Sequence, residues 1–115
     1  MTLTGGYVYP RLGVQLGPIC ERMLHSVSAD LLIMGIMGVT KKGLSDSNSL
    51  IVESIRAMIH CARKVVIVAD RSKFGRDAMI HVADLADVDQ VVTDKGLDDE
   101  SRQVLKDSGV ECVLA

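Results

Sequence analysis

The chain has 115 residues, a formal net charge of −2, 48% hydrophobic and 24% charged residues, no Trp and a single Phe. That is enough for one domain with its own core, which must be aliphatic. A slightly acidic balance argues against unaided binding to DNA or an anionic membrane, because neutralising phosphates requires a basic face.

No apolar run approaches the roughly 18 residues that a membrane helix needs. The opening MTLTGGYVYP has neither the charged nor the apolar region of a secretion signal. Cys20, Cys61 and Cys112 are widely spaced and odd in number, which suits reduced thiols better than a disulfide framework. The expectation is a cytoplasmic, single-domain chain.

In chain order, β-formers around Gly5-Gly6 and Pro10-Arg11 predict short strands joined by tight turns. Gly17-Pro18 opens a helix, since proline loses nothing at the first helical position. Its apolar stripe reads Ile19, Met23, Leu24 and Val27. The run from Asp30 to Ile36 is continuously apolar and reads as a strand buried on both faces. MGVTKKGLSDSNS follows as a loop. A second helix starts near Ser49, with Ile51, Ile55, Met58 and Ile59 as its stripe. KVVIVA (64–69) is the second buried strand, and after a partial helix QVVTD (90–94) is the third. Acids at Asp98, Asp99 and Glu100 suit the first turn of a helix over 98–108, which Gly109 stops before the last strand, VECVLA. This alternation predicts an α/β fold: a parallel sheet in Rossmann-like layers, with helices on both faces.

In such sheets ligands bind beyond the carboxyl ends of the strands. Three ends carry notable residues: Gly35-Ile36-Met37-Gly38, Asp70-Arg71-Ser72-Lys73 and Thr93-Asp94-Lys95-Gly96. The glycines permit close approach to the backbone, Lys73 offers a point charge, and exposed N–H groups of the loops would form a nest. A phosphorylated metabolite is the guest that this chemistry suits. The plainer readings stand beside it: Lys73 as a solvated loop lysine, Asp94–Gly96 as a turn, Glu53 as a complement to a helix dipole. His25, His60 and His81 lack the spacing of metal ligands, no serine sits in a nucleophile elbow, and no cofactor is expected.

The blocks TGG (4–6), LGP (16–18), ADLLIMGIMGV (29–39), GLS (43–45), ESIRAMI (53–59), VADRSKFGR (68–76), VVTDKGL (91–97) and GVECVLA (109–115) follow one another in order. Together they resemble the effector-sensing domain of DeoR-type bacterial transcriptional repressors of sugar metabolism, across essentially the whole chain. The resemblance implies a fold related to ribose-5-phosphate isomerase and glucosamine-6-phosphate isomerase, here as a partial domain. It also implies a sugar-phosphate ligand and no enzymatic activity. By position, Lys73 is similar to the family's ligand lysine, Asp70 shapes its loop, Gly35 and Gly38 line the pocket, and Glu53 falls where the family carries an acid on the second helix. Operator DNA would be met through a winged helix-turn-helix upstream, together with the first part of the sensor and its Ser/Gly/Thr-rich phosphate loop; neither is found in these residues. Met37 departs from the acid or small polar residue usual in the pocket turn. A homo-oligomer is expected, as symmetric operators favour one. Two other functions are weighed: an isomerase-like enzyme with Glu53 as base, and an oligomerisation module using an open sheet edge.

Overall fold

A computed structural model describes residues 1–115. The elements are β1 (Tyr7–Tyr9), β2 (Val14–Leu16), α1 (Pro18–His25), β3 (Ala29–Met34), β4 (Gly38–Thr40), β5 (Gly43–Asp46), α2 (Ser49–Cys61), β6 (Ala62–Val68), β7 (Ile80–Ala83), β8 (Gln90–Thr93), α3 (Asp99–Asp107) and β9 (Glu111–Leu114). No helix is long and apolar enough to cross a membrane.

Helix boundaries follow local chemistry. Pro18 stands in the first turn of α1, after Gly17 at φ 93°. The Asn48 side chain accepts a bond from the Leu50 N–H at the start of α2, 3.0 Å. The Asp98 carboxylate does the same for Ser101 N–H at α3, 2.7 Å. Such caps satisfy N–H groups that a helix leaves unpaired, each worth about 1 kcal/mol.

Four strands form a parallel sheet in the order β3-β6-β8-β9, so the expected α/β class with a parallel sheet holds. β4, β5 and β7 form a separate antiparallel sheet, and β1 pairs antiparallel with β2. Register puts Ile67 opposite Val91, and both are wholly buried. They share the core with Val52 and Ile55 of α2, Leu105 of α3, and Val39, Leu44 and Val82 of the antiparallel sheet.

Several expectations need correction. The strand read as buried on both faces is not: Leu31 and Ile33 are 49% and 63% exposed, while Leu32 and Met34 pack inward. Val68 and Val113 are exposed on the same outer face, and α2 and α3 both feed the inner one. Within these residues, helices cover one face of the sheet. The α1 stripe is rotated from the expected one: Ile19 and Val27 are exposed and Cys20 is the buried residue. The loop over 37–49 holds the β4–β5 hairpin, closed through Lys41-Lys42. The expected partial helix between β6 and β8 is instead two single 3-10 turns, Arg71–Lys73 and Leu85–Asp87, around β7.

Candidate functional site at the carboxyl edge of the sheet

Because β3, β6 and β8 are parallel neighbours, their carboxyl ends share one edge. The chain leaves β6 through Ala69-Asp70 into the Arg71–Lys73 turn, and leaves β8 through Thr93-Asp94 into Lys95-Gly96.

Two carboxylates organise these exits. Asp70 Oδ1 accepts from the Ser72 N–H at 2.8 Å and from the Ser72 hydroxyl. Asp94 Oδ1 accepts from the Arg71 N–H at 2.7 Å, and its Oδ2 accepts from the Gly96 N–H at 3.1 Å. Asp94 thus ties the β6 loop to the β8 loop. Both carboxyls are held below the usual carboxylate range. For Asp70 the causes are the Ser72 hydroxyl and N–H, then the charges of Lys73 and Arg76; for Asp94 they are chiefly the Arg71 N–H, then the Gly96 N–H.

The loop's cations divide in two. Arg71 is committed: its Nε lies 3.8 Å from Asp94 Oδ2, and its guanidinium lies over Gly96, where an added Cβ would meet Nη1 at 1.9 Å. Lys73 forms no ion pair within 4.0 Å and is half-buried; Arg76 is exposed and also unpaired. Beyond the turn the loop lies along β4, with Phe74 bridging Val39 and the Gly75 N–H donating to Val39 O at 2.9 Å.

The expected backbone nest is not formed in this loop. The N–H of Arg71 goes to Asp94, that of Ser72 to Asp70, and those of Lys73, Phe74 and Gly75 to the carbonyls of Asp70, Arg71 and Val39. A ligand over residues 71–75 would meet side-chain charge, with no spare N–H among them.

The other sequence-predicted residues separate. Gly35 is exposed at the end of β3, where a Cβ would lie 3.7 Å from Val68 O, so the edge beside β6 is open. Gly38 lines no open space: a Cβ would stand 2.2 Å from Arg76 O and 2.5 Å from Ser45 Oγ, so its place is a close backbone approach beneath the loop. Glu53 is turned to Arg56 at 2.7 Å, and Arg56 in turn donates to Val82 O at 3.2 Å and to His81 O. None of Glu53's bonds reaches the Lys73 loop. A cavity of about 280 Å³ lies beside the loop, bounded by Val39, Phe74, Gly75 and the first turn of α3, and neither Asp70 nor Lys73 lines it.

Sequence reasoning took Asp94 as a turn residue and missed that it joins two strand ends. Its position one residue after a buried strand was the available signal. Thr93, named in the sequence only as the start of that strand end, is buried, and its Oγ1 has no partner.

Residues 1–95 match the family described as the DeoR C terminal sensor domain. Among similar proteins, an HTH-type transcriptional regulator, GlpR, of Haloferax volcanii is 35% identical over 96% of this chain and 44% of its own length. The glycerol-3-phosphate regulon repressor of Escherichia coli is 36% identical over 97% of this chain and 45% of its own. A putative aga operon transcriptional repressor, also from Escherichia coli, is 27% identical over 99% and 43%. The chain therefore spans less than half the length of these regulators. With the parallel sheet, the SKFGR loop and the matched span in agreement, the chain belongs to the DeoR C-terminal sensor domain family.

Proposed function

We propose that this chain is the effector-sensing part of a cytoplasmic transcriptional repressor of carbohydrate metabolism, and that its effector is a phosphorylated sugar or related metabolite held by Lys73. The observation that carries this reading is an unpaired, half-buried lysine on the loop that leaves the carboxyl end of β6, a loop fixed by Asp70 and Asp94 and following a strand whose neighbour β3 ends at the exposed Gly35. The relatives' names, a glycerol-3-phosphate regulon repressor and an aga operon repressor, suit a carbohydrate metabolite. Operator DNA is met through another part of the protein, since this chain has net charge −2. The function is binding without turnover: Glu53, the carboxylate weighed as a base, is held by Arg56.

Thermal shifts with a panel of sugar phosphates and their unphosphorylated counterparts test this. A ligand at about 100 times its Kd stabilises a fold by roughly 2.7 kcal/mol. The expected shift requires both the phosphate and Lys73, and disappears in Lys73→Ala. An equal shift in Lys73→Ala would remove Lys73 from the site.

Self-association is a second reading, favoured by the apolar outer face that presents Leu31, Ile33 and Val68. We expect a homo-oligomer that light scattering detects and that Ile33→Lys disperses; a monomer at all concentrations would reject it.

A further inference from the structure

We propose a metal site apart from the Lys73 loop: His25 and His60 together take one divalent transition-metal ion and so clip α1 to α2. His25 closes α1, and His60 stands in the last turn of α2, just before β6 begins at Ala62. The Lys73 loop leaves the other end of that strand. The two histidines are far apart in the sequence, which is why no ligand spacing shows there. Packing of α1 against α2 brings them together, with ring centroids 5.8 Å apart and planes at 64°.

That separation suits a shared ion. A metal about 2.1 Å from a ring nitrogen lies about 3.2 Å from the ring centre, so two rings on one ion, at angles from tetrahedral to linear, put their centres about 5.2–6.4 Å apart. Both side chains are exposed, and the broad χ2 torsion of histidine lets each turn a nitrogen toward the common point. Neither imidazole is engaged by an ion pair or a side-chain hydrogen bond, whereas His81 is held by Asp84 at 3.0 Å.

The setting favours a cation. Each ring stands at the carboxyl end of a helix, where unpaired carbonyls carry partial negative charge. No third His, Cys, Asp or Glu joins the pair, so water completes the coordination and the affinity is moderate. Imidazole ligands select Zn²⁺, Ni²⁺ or Cu²⁺ over Mg²⁺ and Ca²⁺, which prefer oxygen. The clip also has something to hold. α1 has only 8 residues and buries only Cys20, and a helix that short does not persist alone. An ion bound only while α1 lies on α2 opposes its detachment about a hundredfold at about 100 times the Kd.

The test titrates this chain with Zn²⁺ and Ni²⁺ near pH 7.5, where free imidazole is mostly neutral, with Mg²⁺ as the control. Calorimetry should show one site in the micromolar range for Zn²⁺ and none for Mg²⁺, and the ring-proton resonances of His25 and His60 should move together. His25→Asn and His60→Asn should each weaken Zn²⁺ binding at least about tenfold, since loss of a merely supporting group already costs that much. His81→Asn should leave it unchanged. Amide exchange in α1 should slow about a hundredfold at about 100 times the Kd in the parent chain, and in neither variant. Zinc binding that survives in either variant, that Mg²⁺ equals, or that saturates only at millimolar concentration would overturn the site and leave an edge-to-face ring contact. Unchanged α1 exchange at saturation would overturn the clip. Both histidines are exposed, so the variants should fold, and the comparison of zinc with magnesium needs no variant.

Discussion

Gly38 is the residue whose substitution best separates a packing role from a pocket role. A methyl there would lie 2.2 Å from Arg76 O and 2.5 Å from Ser45 Oγ. Carbon prefers neighbours beyond about 3.5 Å, so the Arg76 carbonyl must retreat by about 1 Å, and it is backbone. Two bonds hold that segment against the hairpin: Ala78 N–H to Ser45 Oγ at 2.9 Å and Gly75 N–H to Val39 O at 2.9 Å. Overpacking costs about 1–3 kcal/mol, and loss of one or both bonds adds about 1 kcal/mol each. Gly38→Ala should therefore destabilise the fold by roughly 2–5 kcal/mol, a large share of a small domain's stability. Urea unfolding followed by circular dichroism measures this, and amide exchange at Gly75 reports detachment of the loop. Gly35→Ala is the control: its Cβ would meet only Val68 O, at 3.7 Å, so stability should stay within about 0.5 kcal/mol. If Gly38→Ala unfolds like the parent and Gly75 keeps its protection, the close approach does not hold the loop.

Three further outcomes follow from the same geometry. Asp70, Asp94 and Asp98 all have carboxyls held below the ordinary range by hydrogen bonds, so their stabilisation is complete above the unfolded-state value near pH 4 and is lost as pH falls through the lower folded values. Melting temperatures should be flat above about pH 5 and drop below about pH 4, and the drop should be shallower in Asp94→Asn/Asp98→Asn; parallel curves would dismiss the linkage. Thr93→Val removes a buried hydroxyl without a partner and keeps the shape, so urea unfolding should show a neutral or stabilising change; a loss above about 1 kcal/mol would reveal a partner for that hydroxyl. Glu53→Gln breaks only an exposed pair with Arg56, so stability should move by less than about 0.5 kcal/mol and effector affinity should hold; a tenfold loss of affinity would return Glu53 to the site.

The elements that could be read in advance were those whose own residues decide their state. Pro18, the acids at 98–100 and the glycine at 109 marked helix ends, and KVVIVA could only be a strand. The hairpin of β4 and β5 was hidden because strands of three and four residues are too short to show a period. They are strands because Gly38 and Gly43 let backbone approach closely and because β7 pairs with β5. β3 misled for another reason. Continuous apolarity records what a strand can bury, whereas burial depends on what packs against it, and within these residues nothing covers Leu31 and Ile33. Of the site, the Asp70–Lys73 turn was legible as a motif. The commitment of the N–H groups at its two ends was not, since those of Arg71 and Gly75 go to Asp94 and Val39, which are distant in sequence.

That commitment changes how the 71–75 loop can recognise an anion. A nest of free N–H groups binds phosphate through fixed dipoles and stays neutral when empty. Here the N–H groups are spent on Asp70 and Asp94 and on nearby carbonyls, which fixes the loop before any ligand arrives. Asp94 engages Arg71, and Asp70 is satisfied mainly by Ser72, so neither carboxylate forms an ion pair with Lys73. The two acids, which on charge alone would repel a phosphate, thereby leave the Lys73 ammonium out of any ion pair within 4.0 Å, on the loop that leaves the end of β6. Lysine suits that arrangement better than arginine. A compact, mobile point charge needs no matched fork of acceptors, whereas the guanidinium of Arg71 finds its acceptor in Asp94 within the protein. The division of labour among the cations of 71–76, with Arg71 tied to Asp94 and Lys73 and Arg76 left without ion pairs, is what makes this stretch a candidate sensor instead of an ordinary charged loop.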